Sequence, residues 1–160
     1  MLKAGFVAAA FVLAACGSSS SGPATHFTAT LSSANETPAS PHPNPAATGT
    51  ATYDVNGSTV NYTLTFSGLS GNASAGHIHV GASTEAGGVV VPFTLPAATS
   101  GTVNGSFTAT DVRAGTTPSA TIAVGDLDSF LAAMRAGYTY TNVHTASNPA
   151  GEIRGQNTAQ

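Results

Sequence analysis

From Thr59 to Phe66 the chain alternates without a break: Val60, Tyr62, Leu64 and Phe66 are apolar or aromatic, and Thr59, Asn61, Thr63 and Thr65 between them are polar. A period of two places neighbouring side chains on opposite faces of a strand, and no helix gathers such a set on one side. The same pattern sets Phe27, Ala29 and Leu31 among threonines, and carries Ala51, Tyr53 and Val55 into Asn56-Gly57. Two alternating runs meeting at Asn-Gly predict a β-hairpin with a type I′ turn. Val89, Val91, Phe93 and Leu95 form a further inward row, and Pro92 on the opposite side marks an edge strand or a bulge. Phe107 and Ala109, then Ile122 and Val124, continue the scheme.

One helix interrupts the strands near 126–136. Asp126 caps it, Leu127, Phe130, Leu131 and Met134 recur at helical spacing, and Gly137 stops it. The predicted core is Leu31, Tyr53, Tyr62, Leu64, Phe66, Ile78, Val91, Phe93, Phe107, Val143 and Ile153, with Phe130 and Met134 packing the helix onto it. Many short strands with frequent turn signals predict an all-β, antiparallel sandwich or barrel of immunoglobulin-like type. Pro38 to Pro45, including His42, reads as a solvated loop between the first two strands.

The N-terminus reads as an export signal. Lys3 precedes an apolar run from Ala4 to Val12, and Leu13-Ala14-Ala15-Cys16 fits the box that ends a bacterial lipoprotein signal. The run is shorter than the roughly 20 apolar residues of a membrane-spanning helix. The expected organisation is a signal peptide over 1–15, lipidated Cys16 and a Ser/Gly tether over 16–26, and one folded domain over 27–157. The expected location is the cell envelope. Gly17 rather than Asp after the cysteine favours the outer membrane in a two-membrane host. With its only cysteine lipidated, the mature chain has no thiol for a disulfide, a thiolate metal site or a nucleophile.

Without Lys3 the chain retains three arginines against seven acidic residues, so 3 − 7 gives a net charge of −4 with His neutral. That balance excludes nucleic acid as an expected partner, because phosphate backbones are bound by basic patches. The chain has no Gly-x-Ser-x-Gly elbow and no carboxylate pair at a spacing that suggests glycoside hydrolysis, so no catalytic residue is nominated. The expected partners are the membrane, through the lipid, and a protein or matrix component.

Three of the five histidines fall in two motifs, Gly76-His77-Ile78-His79-Val80-Gly81 and Asn142-Val143-His144-Thr145. On a strand His77 and His79 share a face while Ile78 and Val80 take the core, so both imidazoles face solvent or a cleft. Likewise Tyr138, Tyr140, Asn142 and His144 lie opposite Val143, and Glu152 and Arg154 flank an inward Ile153. If the two strands are neighbours, three neutral imidazoles converge, a donor set suited to copper or zinc. The alternative is a structural cluster in which these histidines hydrogen-bond loop carbonyls and Glu36 or Glu152, with Glu152 and Arg154 each pairing across strands.

Asn35-Glu36-x-Pro38 after Leu31, the Gly76–Gly81 motif, and Gly137-Tyr138 leading to Asn142–Thr145 and Gly151-Glu152-Ile153-Arg154-Gly155-Gln156 occur in this order. Together they resemble the chordin-type (CHRD) domain from about Phe27 to Gln156. The resemblance implies a Greek-key sandwich found in exported proteins, with no general activity, and marks Glu36, Asn142, Glu152 and Arg154 as motif residues. It also brings a limited similarity to copper/zinc superoxide dismutases, carried by His77 and His79, where a His-x-His strand supplies two copper ligands; His144 would supply a third. The chain shows no obvious bridging histidine, no compact zinc-ligand cluster and no disulfide pair, which argues against that enzyme's binuclear chemistry. The resulting expectation is a non-enzymatic, membrane-anchored binding or structural module, or alternatively an extracytoplasmic copper- or zinc-binding protein.

Overall fold

The computed structural model describes residues 22–160. The signal box, Cys16 and the first part of the tether lie outside the described residues. Among the described residues eleven strands and one α-helix follow in chain order. The strands are β1 (His26–Ser32), β2 (Thr48–Asn56), β3 (Thr59–Ser67), β4 (Ala73–Val80), β5 (Val89–Phe93), β6 (Gly101–Phe107), β7 (Gly115–Thr116), β8 (Thr121–Ile122), β9 (Thr139–Thr145), β10 (Ile153–Gln156) and β11 (Thr158–Ala159). The helix α1 (Leu127–Arg135) lies between β8 and β9.

Nine strands form one antiparallel sheet in the order β5-β4-β9-β10-β1-β2-β3-β6, with β11 pairing β1; β7 and β8 form a separate ribbon. The sheet curls into a nearly closed sandwich. Tyr62 on β3 meets Phe93 on the edge strand β5, ring centroids 4.5 Å apart, so the two ends of the sheet face each other across the core. The buried interior holds Phe27, Leu31, Tyr53, Leu64, Phe66, Ile78, Val91, Val143 and Ile153, with Tyr62 partly buried against them. Phe130 of α1 packs edge-on against Phe107 at 5.4 Å, and the Asp126 side chain accepts from the Ser129 N–H as the helix cap. The α1 stripe is core, as its spacing predicts.

Three local expectations are corrected. Asn56 pairs with Thr59, so the hairpin loop is Gly57-Ser58, and only Gly57 has positive φ (60°). That is the pattern of a type II′ turn, with glycine at the first central position, rather than type I′. On β5, Val90 is fully buried and Val89 only partly, because Ile78 opposes Val91 while His79 opposes Val89. The bulge reverses the phase of the alternation. Val124, expected inward, is 75% exposed; it follows the two-residue β8, which ends before the alternation reaches it.

A lidded polar face on strands β4, β9 and β10

The outer face of β10-β9-β4 is a grid fixed by strand register. Gln156, Tyr140 and His79 form one row, Arg154, Asn142 and His77 the next, and His144 sits opposite Ala75 below them. Alternation places these side chains outside the core, as expected, but it does not expose them. Every residue of β9 is buried, as are Glu152 and Arg154. Two loops cover the face, residues 33–47 and 81–88.

Polar side chains hold the lids. Glu152 accepts from the Ser70 N–H (2.6 Å), the Ser70 hydroxyl (2.7 Å), the Thr145 hydroxyl (2.6 Å) and the Asn44 amide (3.1 Å). Burial pushes its carboxyl up, and the donors from Thr145, Ser70 and Asn44 outweigh burial and hold it below the usual range. Ser40 donates to Asn148 Oδ1 at 2.6 Å, and the Asn148 amide donates to the carbonyl of His42 at 3.2 Å. His42 itself is exposed, as its loop composition suggests. Arg154 does not pair with an acid. Its guanidinium lies 3.4 Å over the Tyr140 ring and donates to the Ala82 carbonyl at 2.8 Å and more distantly to that of Thr37 at 3.4 Å, bridging the two lids.

Glu36 is the second buried carboxyl. It accepts from the Asn142 amide at 2.8 Å. Gly151 (φ 139°) lies so close to both that a Cβ there would fall 2.6 Å from a Glu36 oxygen and from the Asn142 amide, so only glycine leaves room for the pair. Burial raises the Glu36 pKa to about 7, opposed by the Asn142 hydrogen bond and the Arg154 charge. Because the folded value lies above the ordinary 4.5, the stability linked to its proton is full below pH 4.5 and lost as pH rises through 7. Glu36→Gln is therefore expected to remove this component. Denaturant midpoints measured across that range should show wild type losing stability relative to the variant as pH rises, and a constant difference would contradict the buried carboxyl.

The histidines do converge. His77, His79 and His144 offer ligand nitrogens within 4.8 Å of one another. Ring centroids are 5.3 Å apart for His77 and His79, 4.9 Å for His77 and His144, and 5.8 Å for His79 and His144. None bonds Glu36 or Glu152, a correction to the structural alternative. The bonds to loop carbonyls that the same alternative expects are present: His79 Nδ1 donates to the Gly87 carbonyl at 2.9 Å and His144 Nδ1 to the Pro149 carbonyl at 3.1 Å. A carbonyl only accepts, so in the neutral ring each Nε2 carries the lone pair. His77 Nδ1 lies 3.1 Å from His144 Nε2, and His79 Nε2 is buried without a partner among the described residues. Tyr140 stacks on the His79 ring at 4.9 Å and 5°, fixing its plane. Burial lowers all three pKa values: to about 4 for His77, helped by neighbouring His144, His79 and Arg113, and to about 4 for His79, where the Gly87 bond opposes burial. All three are neutral at neutral pH. The sequence motifs found these three and the four flanking motif residues; Ser40, Asn44, Ser70 and Asn148, which clamp the lids, carried no signal.

The class these features define is an all-β sandwich with a polar face roofed by two loops. A family model of the CHRD domain matches residues 27–157, and the chain belongs to that family. No curated protein and no solved structure matches the chain.

Proposed function

We propose that this chain is a lipid-anchored CHRD domain held outside the cytoplasm, where it acts as a non-enzymatic binding module. The observation that carries the non-catalytic part is the use of the buried carboxylates: Glu152 is spent on four donors and Glu36 is clamped by Asn142 over Gly151. Both fasten lids. The Leu13-Ala14-Ala15-Cys16 box and the Ser-rich stretch after it support anchoring in the cell envelope, with the domain tethered off the membrane and free to meet a protein or matrix partner.

Cys16→Ser is expected to accumulate as an unprocessed precursor, while mass spectrometry of the wild type shows an acylated N-terminal Cys16. Intact, unlipidated Met1 in the wild-type membrane fraction would contradict the anchor. The convergence of the three histidines favours a second reading, in which what the module binds is a metal ion.

A further inference from the structure

We infer that His77 Nδ1, His79 Nε2 and His144 Nε2 form a mononuclear site for a divalent first-row transition metal, with copper(II) bound more tightly than zinc. This names the ligand of the binding module proposed above and does not depend on its anchoring.

Four observations carry the assignment. His79 Nε2 is a buried lone pair without a partner among the described residues, and the residue is 9% exposed with that nitrogen aimed into the cluster. Two of the three rings are oriented by carbonyls on Nδ1, at Gly87 and Pro149, which leaves Nε2 of each as the ligand atom; such outer partners are the usual means of fixing a ligating imidazole. The 3.1 Å between His77 Nδ1 and His144 Nε2 is close to the roughly 3.3–3.4 Å that separates two nitrogens bound tetrahedrally to one zinc. The donors are three imidazoles with no carboxylate or thiolate among them, a set that suits copper and zinc and, by the order of divalent affinities, copper first.

Binding needs a small rearrangement. In the metal-free protein His77 Nδ1–H donates to the His144 Nε2 lone pair, because His144 Nδ1 holds its own proton toward Pro149. The ion takes the place of that hydrogen bond. The proton on His77 Nδ1 moves to Nε2, so the ring stays neutral and no net proton is released from it. The widest pair of ligand atoms, at most 4.8 Å apart, closes toward the span of about 4 Å that opposite nitrogens at roughly 2.0–2.1 Å can have. Three protein ligands leave a position for water, reached from the side of His77, the most exposed ring of the three.

The test uses the full-length lipoprotein in detergent, freed of metal by chelator, titrated with copper(II) sulfate and separately with zinc chloride. The expected result is one copper per chain, nitrogen hyperfine structure in its paramagnetic resonance spectrum, and weaker stoichiometric zinc. His77→Ala, on the most exposed ring, is expected to lower copper affinity by more than the roughly 10–100-fold that loss of an outer-shell partner costs. His144→Gln keeps a polar side chain in case the alanine variant folds poorly, and is expected to lose comparable affinity. The double variant His26→Ala/His42→Ala, which removes the two remaining histidines, should bind as wild type does. Substoichiometric copper in folded wild type, or unchanged affinity and spectrum in both cluster variants, overturns the site. Unlipidated Cys16 with copper bound would fail the anchor alone, and a metal-free but membrane-retained domain would fail the site alone.

Discussion

Glu152→Ala is expected to destabilise the fold by about 1–3 kcal/mol, because the buried Thr145 hydroxyl left without its acceptor costs roughly that much and the less buried donors from Ser70 and Asn44 cost less. The carboxylate joins three separate stretches of chain: Asn44 in the first lid, Ser70 in the β3–β4 connection, and Thr145 at the end of β9. With the side chain gone, the Ser70 N–H and the Ser70 and Thr145 hydroxyls lose this acceptor, while the Asn44 amide keeps the Gly68 carbonyl at 2.8 Å. Glu152→Gln should fall between, since its amide turns an NH₂ toward donors. The pH dependence has a definite sign. The folded carboxyl is held below the usual range, so its stabilisation is present above the ordinary pKa and disappears as pH falls through the folded value. Chemical denaturation of wild type and Glu152→Ala should therefore converge in acid; a difference that persists unchanged there would show that the charge is not what holds the lid.

Gly87→Ala is expected to damage stability and site together. A Cβ at this position would overlap the carbonyl oxygen of Val80 and come within 2.7 Å of Thr117, so the 81–88 loop has to move. Forcing extra volume into a packed position costs about 1–3 kcal/mol. The same residue accepts the His79 Nδ1 proton and donates its N–H to the Tyr140 hydroxyl at 3.2 Å. Moving it frees the His79 ring, and the expected fall in copper affinity is about 10–100-fold, the range for loss of an outer-shell partner. Parallel thermal unfolding and copper titration of the variant read both effects; a destabilised protein with wild-type copper affinity would show that Gly87 supports the loop and not the ligand.

The sequence made the barrel-like half of the molecule legible because strands with one wet face alternate. Val60, Tyr62, Leu64 and Phe66 on β3, and Phe27 and Leu31 on β1, all pack inward where the period puts them. The same rule placed His77 and His79 on one face and brought His144 to it once β4 and β9 were assumed to pair, which they do. It failed where both faces are covered. Thr139–Thr145 reads as a half-exposed polar strand, yet every residue is buried, because the outer row is roofed by loops whose bonds run between residues as distant as Asn44 and Glu152. Nothing periodic connects such pairs. The β5 phase error has the same local character: one inserted residue at the His79 bulge turns Val90 inward, and alternation carries no mark of it.

The protein holds two imidazoles in a fixed tautomer, with their unprotonated nitrogens aimed at one point, before any metal arrives. Long-range proton–nitrogen correlation spectra of the metal-free protein at neutral pH read this directly. His79 and His144 should each show a protonated Nδ1 and a bare Nε2, as the Gly87 and Pro149 carbonyls require. Either ring in the Nε2–H form, or charged as imidazolium at neutral pH, would contradict the account.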